Sequence, residues 1–243
     1  MRGKKMKDKI QYLGKSLVIE EDKKIKLIIG DLHLGYEASL NATGVFVTRT
    51  LIQDAMKDFE LIFNKIGKVE EIILLGDVKH TFGSILKEEW KETDKVISYL
   101  KEKSKKIVVI KGNHDQLTDI IGKKIGFDVV DYYESGEFIF IHGDRDFEEI
   151  WGRKTSTVVM GHMHPAITIT DSVKKEKYTC FLKGNYKGKE IIILPSFISA
   201  NEGTDPRDYP TVLPWNLNLS NFEVCIVGGD LEVLRFGKLR NIK

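Results

Sequence analysis

The histidines of this chain occupy positions where a metal site could form. The chain has six of them, and each follows shortly after an apolar run: His33, His80, His114, His142, His162 and His164. Three other polar residues stand in equivalent places, namely Asp31, Asp77 and Asn113. In the Asp-x-His and His-x-His pairs, a spacing of two sends both side chains to the same face of an extended backbone. A lone Gly-Asp or His-Gly pair is usually a turn, but this combination predicts a functional site.

The chemistry of these side chains indicates divalent metal ions. Imidazole, carboxylate and amide oxygen together suit Mn²⁺ best, with Fe²⁺, Zn²⁺ or Ni²⁺ as alternatives, whereas Mg²⁺ and Ca²⁺ prefer oxygen ligands. The candidate ligands are too many for one ion and suffice for two. Two ions about 3.5–4 Å apart stabilise in-line displacement at phosphorus. Two dications also outweigh the negative charges of Asp31 and Asp77, so we expect an anionic phosphate as substrate.

The elements that must position these residues can be read from the apolar pattern. Continuous apolar runs predict strands buried on both faces at residues 25–30, 71–76, 106–112, 138–143 and 157–161. Further strands are expected at 190–195, 222–229 and 231–237, the last two joined by a turn at Gly228-Gly229-Asp230. Apolar residues recurring every three or four positions predict helices over 51–66 and 87–102.

Strands and helices alternate in the first half of the chain, and strands dominate the second half. This order predicts an α/β fold, with its site beyond the carboxyl ends of the strands. We expect one domain over residues 1–243, with a basic, flexible tail at 1–9. An irregular stretch at 196–221 is expected to lie near the site, because loops of this length tend to be functional or disordered.

The bulk composition excludes several classes of protein. The 243 residues carry a formal net charge of only +2, so no strong field for nucleic acid or membranes is present, although a local patch is compatible with it. Cys180 and Cys225 are two isolated thiols, as expected in a reducing compartment. The sequence contains neither a long apolar span nor a secretory leader. These features predict a cytoplasmic protein that makes no membrane contact.

Five ordered motifs resemble those of the calcineurin-like metallophosphoesterases. They are Asp31-Leu32-His33, Gly76-Asp77, Gly112-Asn113-His114-Asp115, His142 and Gly161-His162-Met163-His164. The resemblance spans about residues 25 to 200. It implies a four-layer αββα sandwich, in which two β-sheets are flanked by helices.

The same resemblance implies a role for each residue. One metal ion would be held by Asp31, His33 and His164, and the other by Asn113, His142 and His162. Asp77 would bridge the two ions, and a metal-bound hydroxide would be the nucleophile. His114 would bind no metal but would act as the general acid that protonates the leaving oxygen, a contribution typically worth about 10²–10⁴-fold.

Local sequence similarities indicate a particular branch of the family. The stretch from Gly30 to Val47 resembles archaeal SbcD-related DNA-repair phosphoesterases and bacterial phosphoesterases associated with an Lhr-type helicase and a DNA ligase. Those nucleases carry a histidine three residues after the bridging aspartate, and His80 takes that place as a residue that orients the phosphate. Lys79 at the rim and Arg145 after His142 are weaker candidates for substrate binding. Lys79 is equally well explained as a solvated residue, and Arg145 is better explained by a surface turn.

The resemblance therefore implies a phosphodiesterase that acts on nucleic acid, with DNA in a repair context as substrate. Small diesters such as cyclic nucleotides, or phosphomonoesters, remain alternative substrates, and a non-catalytic scaffold is a remote alternative. The sequence has no P-loop motif, so a helicase or ATPase partner, or a ligase, is expected as a separate chain. A homodimer is common among the relatives, but no apolar stripe in this sequence indicates one.

Overall fold

The computed structural model describes residues 9–82, 86–115, 117–170, 174–198, 203–208 and 213–242. Its first sheet has six strands: β1 (Lys9–Leu13), β2 (Ser16–Glu21), β3 (Lys24–Ile29), β4 (Val69–Leu74), β5 (Ser104–Ile110) and β6 (Asp128–Val130). These strands lie side by side in sequence order. The first three are antiparallel, and β3 to β6 are parallel. The sheet therefore has one edge at which β3, β4 and β5 all end.

The second sheet is also mixed. Its strands are β7 (Tyr132–Ser135), β8 (Phe138–Ile141), β9 (Thr157–Met160), β10 (Ala166–Thr170), β11 (Lys175–Tyr186), β12 (Lys189–Ile193), β13 (Glu223–Val227) and β14 (Val233–Lys238). The spatial order is β14-β13-β11-β12-β9-β8-β7, and β10 pairs with β11 beside this path. The three central strands β8, β9 and β12 are parallel, so they also end at a common edge.

Helices cover the outer face of the first sheet. They are α1 (Tyr36–Ala42), α2 (Leu51–Ile66), α3 (Lys87–Lys103) and α4 (Thr118–Ile125). The predicted apolar stripe of α2 is the face it buries, with Ala55, Phe59, Ile62 and Phe63 directed to the sheet. The helix ends at Gly67, which takes a positive φ of 69° and donates its N–H to Phe63 O.

The core lies in three layers of apolar contact. One lies between the first sheet and its helices, and the second lies between the two sheets, where Ile28 and Ile73 face Phe140 and Ile192. The third covers the outer face of the second sheet. Burial on both faces explains why these strands read as continuous apolar runs rather than alternating ones.

The predicted sandwich of two sheets is confirmed, with one difference in its fourth layer. Over the described residues, the outer face of the second sheet is covered by 3₁₀-helices at Glu148–Gly152, Leu219–Asn221 and Leu239–Asn241, together with irregular chain around Trp215. Trp215 and Leu217 supply the apolar cover that an α-helix would otherwise provide. The expected hairpin turn is present between β13 and β14.

Two of the expected segments fall partly outside the described residues. Residues 1–8 of the predicted tail lie outside them, and Lys9 already begins β1. Of the stretch 196–221, residues 199–202 and 209–212 lie outside them. Among the described residues, no helix is long and apolar enough to cross a membrane.

Candidate metal centre

Both sheets contribute candidate ligands from the carboxyl ends of parallel strands. The turns that follow β3, β4 and β5 carry Asp31, His33, Asp77, Asn113 and His114. The turns that follow β8 and β9 carry His142, His162 and His164. Since parallel neighbours end at the same edge, residues far apart in sequence meet there. The structure brings all seven predicted ligands and His114 to this one edge.

Asp31, His33 and His164 form the first group. Each offers a ligand atom within 4.8 Å of those of the other two. His164 Nε2 lies 3.4 Å from Asp31 Oδ1, and His33 Nε2 lies 3.2 Å from His164 Nε2. These are the three residues that the family resemblance assigns to one metal ion.

Asp77, His142 and His162 form the second group, again with ligand atoms within 4.8 Å of one another. His162 Nδ1 lies 3.1 Å from His142 Nε2. The amide oxygen of Asn113 lies 3.1 Å from the same nitrogen. His142 is fixed in turn by its Nδ1, which lies 2.8 Å from Leu75 O, an arrangement typical of metal-binding histidines.

Asp77 lies between the two groups. Its Oδ2 is 3.5 Å from His142 Nε2 and 3.8 Å from His33 Nε2. Its other oxygen, Oδ1, accepts the backbone N–H of His114 at 2.9 Å. This is the position that a carboxylate shared by two ions requires.

The donor set fits divalent metal ions. The facing imidazole nitrogens of His33 and His164 are 3.2 Å apart, and those of His142 and His162 are 3.1 Å apart. A positive ion between such lone pairs would stabilise their close approach. In addition, Asp31 and Asp77 are 0% and 2% exposed, and buried carboxylates require a compensating charge. Nitrogen and oxygen donors together favour Mn²⁺, Fe²⁺ or Zn²⁺ over Ca²⁺.

Backbone strain is concentrated at the ligands. His33, Asp77, His162 and His164 have φ angles of 43°, 45°, 64° and 48°, in the left-handed region. Residues other than glycine seldom adopt this conformation, which costs of order 1–3 kcal/mol where it is strained. Four of the seven predicted ligands thus hold a costly backbone geometry that turns their side chains inward.

The motif glycines are explained by close approach to the ligands. A Cβ atom on Gly112 would lie 2.3 Å from Asp77 Oδ1. On Gly161 it would lie 2.6 Å from Asp31 Oδ2, and on Gly76 2.6 Å from His142 Nδ1. The ligand oxygens and nitrogens occupy the space that any larger residue would need.

The charges of the site are strongly coupled. Burial raises the pKa of Asp31, but His164, His142 and His33 outweigh it and hold that pKa below its usual range. Burial lowers the pKa of His142, but its hydrogen bond to Asp77 and the charge of Asp31 raise it to about 10. For His33, burial dominates and the pKa falls to about 4. These interactions favour ionised carboxylates at Asp31 and Asp77 and a proton on His142.

His114 is oriented by the backbone of His80. Its Nδ1 is hydrogen bonded to the carbonyl oxygen of His80, which requires the proton of His114 on Nδ1. Its Nε2 lies 4.0 Å from Asp77 Oδ2 and is therefore turned toward the centre. The ring of His80 stacks beside that of His114 with centroids 5.4 Å apart. The structure thus brings both predicted catalytic histidines to the same place.

The two basic residues proposed for substrate binding are engaged by other groups of the protein. Lys79 was expected at the rim, and that placement is wrong: its side chain is fully buried and its ammonium donates to Thr81 O. Burial lowers the pKa of Lys79, and the nearby carboxylates of Glu89, Asp115 and Asp77 act against this effect. Arg145 pairs with Asp131 at 3.0 Å and with Asp144 at 3.6 Å. Its guanidinium is thus engaged by carboxylates in the structure.

Two buried glutamates that sequence reasoning missed hold the loops of the site. Glu89 accepts the backbone N–H groups of His80 and Thr81 at 2.8 and 2.7 Å. Glu92 accepts the N–H of Gly35 at 2.8 Å. Glu89 is 0% exposed and shares a face of α3 with Val96 and Leu100. A carboxylate on the apolar face of a predicted helix was the signal available in the sequence.

Asp115, the last residue of the Gly-Asn-His-Asp motif, is a further residue without a predicted role. It is 0% exposed and accepts hydrogen bonds from Val78 N at 3.1 Å, Gly112 N at 3.1 Å and Thr118 Oγ1 at 2.8 Å. It therefore connects the turn that carries Asp77 to the turn that carries Asn113 and His114.

The start of the stretch 196–221 contacts the first group of ligands. Ser196 Oγ and Phe197 N donate to Asp31 O at 2.8 and 2.9 Å. Further along, Thr204 N donates to His164 O at 2.8 Å. The described parts of this stretch thus hold the backbone of two candidate ligands.

Comparisons with known proteins identify the family of the chain. The family model described as calcineurin-like phosphoesterase matches residues 26–232. The crystal structure of nuclease MPE from Pseudomonas putida is similar, with 17% identity, a TM-score of 0.62, and coverage of 95% of this chain and 100% of that one. A phosphoesterase from E. coli, YfcE, has 14% identity, a TM-score of 0.40, and coverage of 88% and 98%. No curated protein sequence matches the chain.

Proposed function

Since the chain belongs to the calcineurin-like phosphoesterase family and is a metal-dependent phosphoesterase, we propose that it hydrolyses phosphodiester bonds of DNA, acting in repair on single-stranded or irregular substrates. One observation carries the proposal. Asp77 Oδ2 lies 3.5 Å from His142 in one group of candidate ligands and 3.8 Å from His33 in the other, and His114 faces the same carboxylate from outside the two groups. A nuclease of similar fold, MPE, supports nucleic acid as the substrate class.

The charges near the site favour a diester over a monoester. A phosphomonoester carries a second negative charge, which specialised enzymes usually meet with an additional cationic side chain. The basic residues nearest the motifs in sequence are otherwise engaged: Lys79 with Thr81 O, Lys111 with Asp119 and Arg145 with Asp131. The singly charged diester is therefore the better match.

The ligand residues would hold two divalent ions, for which we propose Mn²⁺. Asp31, His33 and His164 would hold one and Asn113, His142 and His162 the other, with Asp77 between them. When bound, the ions supply positive charge for the phosphate and lower the pKa of water. The strained backbone of the ligands keeps their side chains in place before substrate arrives.

His114 is placed to handle the proton of the leaving group. The bond from its Nδ1 to the backbone of His80 fixes the ring, so the proton that it gives up is carried on Nε2. As an oxygen of water bonds to phosphorus and releases a proton to solvent, the bond from phosphorus to the leaving oxygen breaks, and the proton on His114 Nε2 passes to that leaving oxygen. The ring of His80, beside that of His114, would orient the phosphate. Any helicase or ligase partner would act from a separate chain.

The test uses metal-stripped protein to which Mn²⁺ is restored. Circular single-stranded DNA and bis(p-nitrophenyl) phosphate are the substrates, with His114→Ala as the variant and metal content as its control. We expect cleavage of the circle, and a loss of about 10²–10⁴-fold in His114→Ala with both ions retained. Hydrolysis of the small diester alone would contradict the DNA substrate. Full activity of His114→Ala on the DNA circle, whose alkoxide leaving group needs the proton, would contradict the role of that residue.

A further inference from the structure

Phe82 is an exposed aromatic residue beside the general acid. Its side chain is 55% exposed, although it follows directly on the buried turn after β4. Its ring lies on that of His114, with centroids 3.7 Å apart and planes tilted by 35°. Leaving a phenyl ring half in water forgoes much of the free energy of its burial. The exposed ring is therefore available for contact with a bound molecule.

Phe82 is the outermost ring of a series that leads to the metal ligands. His114 lies 5.0 Å from the ring of His33 and 5.4 Å from that of His80. Tyr36 packs edge-on against His80 at 4.8 Å. The histidine rings lie next to the candidate metal ligands, and the ring of Phe82 faces solvent. A group attached to a phosphate at the metal centre would therefore lie beside Phe82.

We propose that Phe82 stacks on the nucleobase next to the scissile phosphate and thereby selects unpaired nucleic acid. This inference rests on the proposed function. His114 acts at the leaving oxygen, and one sugar separates that oxygen from its base. Stacking on an aromatic side chain tolerates every base, because each presents a π-face. In a duplex the base is already stacked on its neighbours, so only an unpaired nucleotide offers that face to Phe82.

The competing explanation is that Phe82 only supports the ring of His114. In that case its removal would slow every substrate equally, with or without a base. If Phe82 stacks on the base, its removal would slow the hydrolysis only of substrates that carry a base. The two explanations are separated by a substrate that lacks the base but keeps the same phosphodiester.

The experiment uses dinucleoside monophosphates, which contain one phosphodiester bond. Thymidylyl-thymidine is compared with analogues in which the 5′ or the 3′ nucleoside lacks its base. The wild-type protein loaded with Mn²⁺ is compared with Phe82→Ala, Phe82→Leu and Phe82→Trp. Phe236→Ala is the matched control, because Phe236 is a similarly exposed phenylalanine, 48% exposed, on β14.

We expect the kcat/KM of the wild-type protein to be about 5- to 150-fold higher on the complete substrate than on one of its analogues, because the KM is lower. This ratio corresponds to about 1–3 kcal/mol of stacking free energy. Phe82→Ala and Phe82→Leu should lose this preference, Phe82→Trp should retain it, and Phe236→Ala should match the wild type. The inference would be overturned if Phe82→Ala lost activity equally on all substrates, or if the wild-type protein showed no preference for the complete substrate. Neither result would contradict the proposed function. Hydrolysis of bis(p-nitrophenyl) phosphate without cleavage of any dinucleotide would instead refute the proposed function, and the inference with it.

Discussion

The two edges of the first sheet use charge in opposite ways. At the carboxyl edge, Asp31 and Asp77 are buried and lie within 4 Å of histidines. At the amino edge, by contrast, Lys105 pairs with Glu70 at 2.8 Å while its side chain is 76% exposed to water. Charges in the low-dielectric interior interact strongly, whereas exposed pairs are screened. The same strands thus end at a centre of strongly interacting buried charges and strained backbone, and begin at a surface where the loss of a charge has little effect.

The largest expected effect is at the shared carboxylate. Asp77→Asn keeps an acceptor for the N–H of His114 but removes the charge between the two groups. We expect kcat/KM to fall by about 10⁴-fold or more, since metal-ion catalysis supplies several kcal/mol and each 1.36 kcal/mol is tenfold. Metal content should fall as well, as measured by atomic emission. Asp54→Asn on the exposed face of α2 is the control, and comparable losses in both variants would remove the contrast.

A smaller loss of activity is expected when one methyl group is added at Gly112. In Gly112→Ala, the new Cβ would lie 2.3 Å from Asp77 Oδ1 and 2.5 Å from its backbone nitrogen, so Asp77 must move. Overpacking of this kind costs about 1–3 kcal/mol of stability, and a displacement of about 1 Å at a site can cost 10²-fold in rate. Activity and the melting temperature measure both effects. Gly152→Ala is the matched control, because its Cβ would meet nothing within 4 Å.

The carboxyl edge should also make metal binding depend on pH. In the metal-free protein the pKa of His142 is raised to about 10, mainly by its bond to Asp77 and by Asp31 against the opposing effect of burial. At neutral pH His142 is therefore protonated, and it must lose that proton to bind a metal ion. We expect Mn²⁺ affinity to rise by about tenfold per pH unit between pH 6.5 and 8.5. Calorimetric titration of the metal-free protein tests this, and a flat profile would contradict it.

A moderate effect is expected at the residue that connects two of the site's turns. Asp115→Ala leaves Val78 N, Gly112 N and Thr118 Oγ1 without their acceptor. Buried donors without partners cost about 1–3 kcal/mol, so the melting temperature should fall. Metal affinity should weaken by about tenfold, the usual lower range for residues that support ligands. Asp119→Ala, on the exposed side of the neighbouring helix, should change neither property.

The smallest effect is expected at the amino edge. Lys105→Ala removes an exposed ion pair with Glu70, and such pairs contribute about 0–1 kcal/mol. We expect kcat/KM and metal content to match the wild type, and any loss of stability to vanish in 0.5 M salt. A tenfold loss of activity would show that this edge takes part in the reaction and would overturn the comparison.

Sequence reasoning worked best where function follows directly on a buried strand. The runs that end before Asp31, Asp77 and Asn113 were recognisable because continuous apolar residues mark central strands. It failed for β11 (Lys175–Tyr186), whose first residues are charged and exposed, so that the pattern of a buried run is absent. The short helix α4 and the strand pair β1 and β2 were also not identified.

The sequence by itself determined which residues form the centre, because their types, order and spacing are local properties of the chain. Only the tertiary structure decided how they act together. It brought His33 to His164 across 131 positions, buried Lys79, and laid Phe82 on His114. It also made Glu89 and Asp115 supports for the site's turns. Such contacts depend on where distant strands end in space, which local periodicity does not encode.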